Sequence, residues 1–231
     1  MTSRWLLLPI FCLQGSSSLL AADSATRFDS YDAFYRSQSA KALPLSNISG
    51  RFEPQFVEAK PDKPVGFRWV NESSSQALDA RWSETEGWRV AGRKLPIQTL
   101  NLPGKLAQRP GELDLETAGI YRWDNGQLCL EANLVGLGNT GKFQRLRSIV
   151  LFDRRAGRAW QYTGWFAACS AIRYEPDRAV LLTVSPGKQD DQFVASELVL
   201  RNGRGVTQPG GWQLQAISGD NPYVFSIQRL P

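Results

Sequence analysis

From Pro44 to the end of the chain, short apolar or alternating runs are broken by Gly, Pro, Asn and Asp at intervals of eight to fifteen residues. Segments that short suit strands of about four to eight residues and leave no room for a set of long helices, so the pattern predicts an antiparallel all-β domain. Candidate strands are 51–58, 65–71, 78–83, 87–91, 95–101, 118–123, 127–135, 145–153, 158–174, 179–185, 192–201, 212–217 and 223–229. "RWDNGQL" places Asn125-Gly126 between two such runs, and both residues tolerate the positive φ of a tight hairpin. "FDRRAGRAW" and "VLRNGRGV" repeat the idea, while 102–117, with Pro103 and Pro110, reads as the longest loop. Trp82, Trp88, Trp123, Trp160, Trp165 and Trp212 stand within or beside strands without a fixed period, which favours a barrel or sandwich over a propeller.

The amino-terminal part has a different texture. Arg4 precedes an apolar run from Trp5 to Leu13, followed by polar residues and small ones ending at Ala21 and Ala22, which predicts a signal peptide over 1–22. The run is too short to span a bilayer, which takes about 20 apolar residues. Cys12 follows Phe11, not the small residue that a lipid-accepting cysteine requires. From Thr26 to Leu43, Phe28, Tyr31 and Tyr35 recur at spacings of three and four, so the sequence predicts a helix with one aromatic face, stopped by Pro44. The expected organisation is a signal peptide (1–22), a helical leader (23–50) and an antiparallel β domain (51–231).

Removal of the signal takes away Arg4 and Cys12, lowering the formal charge from +5 to +4 and the cysteines from three to two. Cys129 and Cys169 are then expected to pair as a disulfide, since the extracytoplasmic space is oxidising. The basic excess clusters as Arg145, Arg147, Arg154, Arg155, Arg158, Arg173 and Arg178 among aromatics. The first reading of these arginines is as solvated, outward-facing strand residues; as a binding face in an exported protein they would meet acidic glycans, lipopolysaccharide or an acidic partner in preference to nucleic acid.

"LVGLGNTGKF" satisfies G-x-G-x-x-G at Gly136, Gly138 and Gly141, and the start of G-x-x-x-x-G-K-[ST] at Gly136, Gly141 and Lys142. Both motifs work only at the amino terminus of a helix, where backbone N–H groups cradle a phosphate. Phe143 replaces the magnesium-binding hydroxyl, and "FQRLRSIVLFDRR" downstream has β-branched residues at its centre, so the loop reads as a glycine-rich turn between two strands.

The chain contains no histidine, which excludes Ser-His-Asp and Cys-His nucleophile pairs and H-E-x-x-H metal sites. Ser185 and Lys188 fit S-x-x-K, but Pro186-Gly187 opposes the helical turn that would join them. The acid pairs Glu84 with Glu86, Glu112 with Asp114, and Asp190 with Asp191 lie in polar, turn-like surroundings; Glu131 and Asp153 lie on strands near aromatics. "WQYTGWFAACSAIRY" places small residues on both faces of one expected strand, leaving space for a close-packed layer or a ligand. Asn47-Ile-Ser49 and Asn71-Glu-Ser73 are glycosylation triplets. No cofactor is expected. The sequence predicts an exported periplasmic or secreted, non-catalytic binding or accessory protein of the cell envelope that takes a protein partner, a glycan or a lipid-like ligand. Trp160, Trp165, Arg145 and Arg147 are the expected contact residues, because aromatics and Arg dominate binding hot spots. A carboxylate-dependent envelope glycan hydrolase is the alternative.

Overall fold

The computed structural model describes residues 26–38, 45–59, 62–73, 77–100, 113–135, 146–154, 156–174, 178–189, 191–201, 204–218 and 221–230. The expected signal peptide and the glycine loop at 136–145 lie outside them. In chain order the elements are β1 (Thr26–Phe28), α1 (Tyr31–Ser37), β2 (Leu45–Ile48), β3 (Gly50–Gln55), β4 (Gly66–Asn71), β5 (Ala80–Ser83) and β6 (Gly87–Val90). β7 (Arg93–Leu95), β8 (Ile97–Thr99), β9 (Leu113–Trp123), β10 (Leu128–Leu134), β11 (Leu146–Asp153) and β12 (Arg158–Trp165) follow. A 3-10 turn at Cys169–Ala171 leads to β13 (Ile172–Tyr174), β14 (Ala179–Pro186), β15 (Gln192–Arg201), β16 (Arg204–Thr207), β17 (Gly211–Ser218) and β18 (Asn221–Leu230).

The strands form two sheets, antiparallel except where β8 lies parallel to β12. β3 to β7 make a five-stranded meander. The larger sheet runs β1-β18-β17-β15-β14-β12-β11-β10-β9-β2, with β13, β16 and β8 pairing at its flanks. Its path is open between β1 and β2, so the architecture is sandwich-like and no barrel closes. The chain passes from the large sheet to the small one between β2 and β3, where Gly50 has φ +159° and a Cβ would fall 2.4 Å from the Val70 carbonyl oxygen.

Strands β10, β11 and β12 are buried on both faces, which explains why "SIVLFD" reads as a continuous apolar run and not as an alternation. Leu128, Leu130, Val150, Phe152 and Ala159 face the five-stranded sheet and join a core built around Trp88, which is fully buried and meets the Phe152 ring edge-on at 5.2 Å. Cys129, Ile149, Leu151, Trp160 and Tyr162 point the other way, into a core shared with α1, β13, β14, β15, β17 and β18. A hairpin forms between β9 and β10 where Asn125-Gly126 predicts one, but only Gly126, at φ +78°, takes a positive φ, and the Trp123 N–H donates to the Gln127 carbonyl across the turn.

Two expectations are corrected. The helix anticipated over 26–43 is confined to Tyr31–Ser37 within the described residues, because Thr26–Phe28 pairs with Ile227, Ser226 and Phe225 of β18 and the Phe28 ring stacks on Phe225. Ser30 then caps the helix by accepting a hydrogen bond from the Ala33 N–H at 3.1 Å. The expected 23–50 leader accordingly contributes β2 as well, paired to β9. The single strand anticipated over 158–174 breaks after Trp165. Phe166 adopts φ +53° there, and Ala167 to Ala171 leave the sheet to pack beneath α1, with the Tyr35 hydroxyl donating to the Phe166 carbonyl at 3.0 Å.

Candidate functional site

Strand alternation determines which side chains meet at the polar rim of the α1-side core. Asn47 of β2 is registered with Tyr121 of β9, Gly119 of β9 with Glu131 of β10, and Glu131 with Ile149 of β11; Arg147 lies two residues before Ile149 on the same face. The β9–β10 ladder is irregular at this point. The step from Asp114 to Gly119 on β9 spans the step from Glu131 to Asn133 on β10, a bulge that carries Thr117 and Ala118 to the rim. The result is a cleft of about 290 Å³ bordered by Asn47, Gly50, Thr117, Gly119, Tyr121, Glu131, Asn133 and Arg147. Arg147 also walls a second cleft of about 150 Å³, where Ser30, Tyr31, Asp32, Phe166 and Tyr223 line the other side.

Glu131 is the anchor of this arrangement. Its side chain is 15% exposed; one carboxylate oxygen accepts the Cys169 backbone N–H at 2.5 Å and the other lies 3.8 Å from an Arg147 guanidinium nitrogen. Burial is the main cause that raises its pKa above the ordinary glutamate range, and the Asp32 charge adds to the rise, while the Cys169 N–H and Arg147 oppose it. Burial and the Glu131 charge likewise raise the Tyr121 hydroxyl, against the lowering effect of Arg147. Cys129 and Cys169 lie at disulfide distance, 1.98 Å between sulfur atoms, which ties the 3-10 turn to β10 one row from Glu131. Asp32 accepts from the Ser170 hydroxyl of the same turn. The turn, the carboxylate and helix α1 therefore hold one another in place.

The rim is rich in donors that the fold itself does not use. The 3.8 Å separation from Glu131 exceeds a hydrogen bond, and the Arg147 side chain makes no other ion pair and no hydrogen bond among the described residues. The side-chain amides of Asn47 and Asn133 and the Tyr121 hydroxyl make no hydrogen bond among the described residues, and all three border the larger cleft.

The contact residues expected from sequence are distributed unequally. Arg147 borders both clefts and Arg145 lies outside the described residues. Trp165 is half-buried between the two cores. Trp160 is a correction: it is 3% exposed, inside the α1-side core, because β12 is covered on both faces and neither side of its alternation reaches solvent. Arg158 lies 5.9 Å from the centre of the Trp160 ring. The sequence reading missed Asn47, Tyr121 and Asn133 as site residues; the signal available was a cluster of polar side chains on strands flanking a buried acid.

The acid pairs separate in the same way. Glu84 pairs with Lys63, Glu86 with Arg89, and Asp114 accepts from Thr117, all at the surface. Glu112 and Asp190 lie outside the described residues. Glu131 is registered with Ile149 and Asp153 with Arg158, so four residues of β11 separate the two acids, about 13 Å at strand rise. Asp32 of α1 is the acid that acts on Glu131. Ser185 donates to the Val194 carbonyl from the end of β14, and Lys188 follows in the turn, as expected for "SPGK". The described segment that follows the glycine loop, Leu146–Asp153, is strand β11, antiparallel to β10, where the phosphate motifs call for a helix.

A larger groove of about 790 Å³ lies beside Gln38, Glu197, Trp212 and Arg229. Two of its polar groups are already engaged, Gln38 with Ser37 and Glu197 with Arg173. Among the described residues no three His, Cys, Asp or Glu side chains converge to hold a metal ion, and no helix is long and apolar enough to cross a membrane. No family model matches the chain, and neither the curated proteins nor the solved structures give a match to it.

Proposed function

We propose that this chain is an exported protein of the cell envelope that binds a polar, hydroxyl-rich ligand in the cleft beside Arg147 without transforming it. The observation that carries this reading is the convergence on one concave space of Arg147, Asn47, Asn133 and Tyr121, whose side chains make no hydrogen bond among the described residues. Polar groups held unpaired at a rim gain most from a ligand that satisfies them, and an acyl chain placed there would strand every donor. Of the three ligand types expected from sequence, a glycan therefore fits the cleft better than a lipid-like molecule or a flat protein surface. The volume of about 290 Å³ stands at the small end of ligand sites, which run from roughly 300 to 1,000 Å³. The test is equilibrium binding of fluorescently labelled oligosaccharides released from the native envelope. The wild-type chain binds them and the Asn47→Ala/Asn133→Ala variant loses binding by about tenfold or more; equal binding by both proteins refutes the cleft as the site.

A second reading has one observation in its favour. Glu131 is a buried acid whose pKa is raised chiefly by burial and further by the Asp32 charge, and a raised carboxyl pKa is what a glycoside hydrolase uses for proton donation. Both Glu131 oxygens are nevertheless engaged, by Cys169 and Arg147, as expected of a structural anchor. Release of reducing ends from envelope glycans by wild type, abolished in Glu131→Gln, would establish the hydrolase; undegraded, bound glycan supports the binding protein.

A further inference from the structure

Resting on the reading of the Arg147 cleft as a glycan site, we infer that its ligand is an acidic oligosaccharide whose carboxylate docks on Arg147 and whose neighbouring sugar ring lies against Tyr223. Arg147 supplies the first half of the inference. Its guanidinium is 48% exposed, is steered by Glu131 from 3.8 Å away, and keeps its planar donors for a second carboxylate, the partner that this fork matches with two parallel hydrogen bonds.

Charge selects among anions. Glu131 and Asp32 stand on either side of Arg147, one in each cleft. Among the described lining residues, a dianionic phosphate would meet two acids at close range with one cation to offset them, whereas a singly charged carboxylate meets the same cation with half the repulsion. The planar amides of Asn47 and Asn133 and the Tyr121 hydroxyl then face the ring hydroxyls next to the acid group, since each both donates and accepts.

The second cleft supplies the other half. Tyr31 stacks on Phe166 with centroids 3.7 Å apart, and Tyr223 closes on both rings edge-on at 6.4 and 5.5 Å. Tyr31 and Phe166 are buried, but Tyr223 is 45% exposed and borders the cleft, a ring against which the apolar face of a sugar can lie. Phe166 reaches this stack only through its φ of +53°, a conformation costly for an aromatic residue and concentrated at functional sites. Because Arg147 is the wall common to both clefts, a uronate in the larger one places the next sugar over the smaller one.

The experiment is titration of the mature chain with a panel of uronate oligosaccharides, trimers and tetramers built on galacturonate, glucuronate and mannuronate, against their methyl esters and neutral maltotriose. At least one acid oligomer is expected to bind, with its ester roughly tenfold weaker or worse. Arg147→Gln should lose binding to the same extent, Arg147→Lys should recover part of it as a point charge without the fork, and Tyr223→Ala should weaken trimers more than a monomeric uronate. Arg229→Gln, in the other groove, is the control that leaves affinity unchanged, and circular dichroism verifies that each variant is folded. Equal binding of acid and ester, or full affinity in Arg147→Gln, overturns the carboxylate assignment; if Asn133→Ala still weakens that binding, the glycan cleft itself stands. Absence of binding to every sugar, envelope glycans included, overturns both.

Discussion

Replacing Cys129 and Cys169 together by alanine removes a covalent link between positions separated by 40 residues, and its cost follows from the loop that the link closes. Restoring that loop to the unfolded chain returns about 13 cal/mol/K of conformational entropy, or about 4 kcal/mol at 25 °C. Against the roughly 5–15 kcal/mol by which domains are stable, this is a large fraction. For a chain of this size it corresponds to a fall of roughly 8–16 °C in Tm. The same change loosens the 3-10 turn whose Cys169 N–H holds Glu131, so the cleft should lose ligand affinity in protein that is still folded. Guanidinium unfolding followed by tryptophan fluorescence measures the first effect, and oligosaccharide titration of the folded variant the second. A stability loss under about 1 kcal/mol would refute the entropic argument. An unchanged affinity would refute the role assigned to the turn in positioning Glu131.

Three further outcomes follow from burial and charge. Trp88→Ala empties the core between the two sheets where the Phe152 ring meets the indole, and should destabilise the protein by about 3–5 kcal/mol in chemical unfolding. Trp160→Ala should cost a similar amount yet leave ligand affinity per folded molecule unchanged, which separates a core tryptophan from a contact residue. Glu131 has a higher proton affinity in the folded than in the unfolded chain, chiefly through burial, so its stabilising contribution is complete below about pH 4.3 and is lost as the pH rises through its folded value. In Glu131→Gln that dependence disappears, so the stability of wild type relative to the variant should fall over that window; a difference constant with pH would contradict the assignment.

The β architecture was legible because turn chemistry is local. Asn125-Gly126 needs only its own two residues to declare a hairpin, and "SIVLFD" needs only its β-branched centre to declare a strand. What was not legible depends on residues far away in the chain. Phe28 continues the helical spacing of Tyr31 and Tyr35, yet its partner is Phe225, almost two hundred positions later, and that pairing turns Thr26–Phe28 into a strand. Trp160 read as a surface residue because alternation tells two faces apart only when one of them meets water, and β12 has none that does. Arg147 was legible as a contact residue by its type. Asn47, Tyr121 and Asn133 were not, since three strands and a bulge bring them together, and Glu131 was visible only as an acid on a strand, without the Asp32 charge that α1 brings beside it.

The most direct test of the proposed site is a map of backbone amide shifts during titration of the isotopically labelled chain with the oligosaccharide of the uronate panel that binds it most tightly. Saturable shifts are expected to concentrate at Asn47, residues 117–121, 131–133 and Arg147, extending to Phe166 and Tyr223. Shifts centred on Trp212 and Arg229, with the Arg147 rim unmoved, would contradict the proposed site.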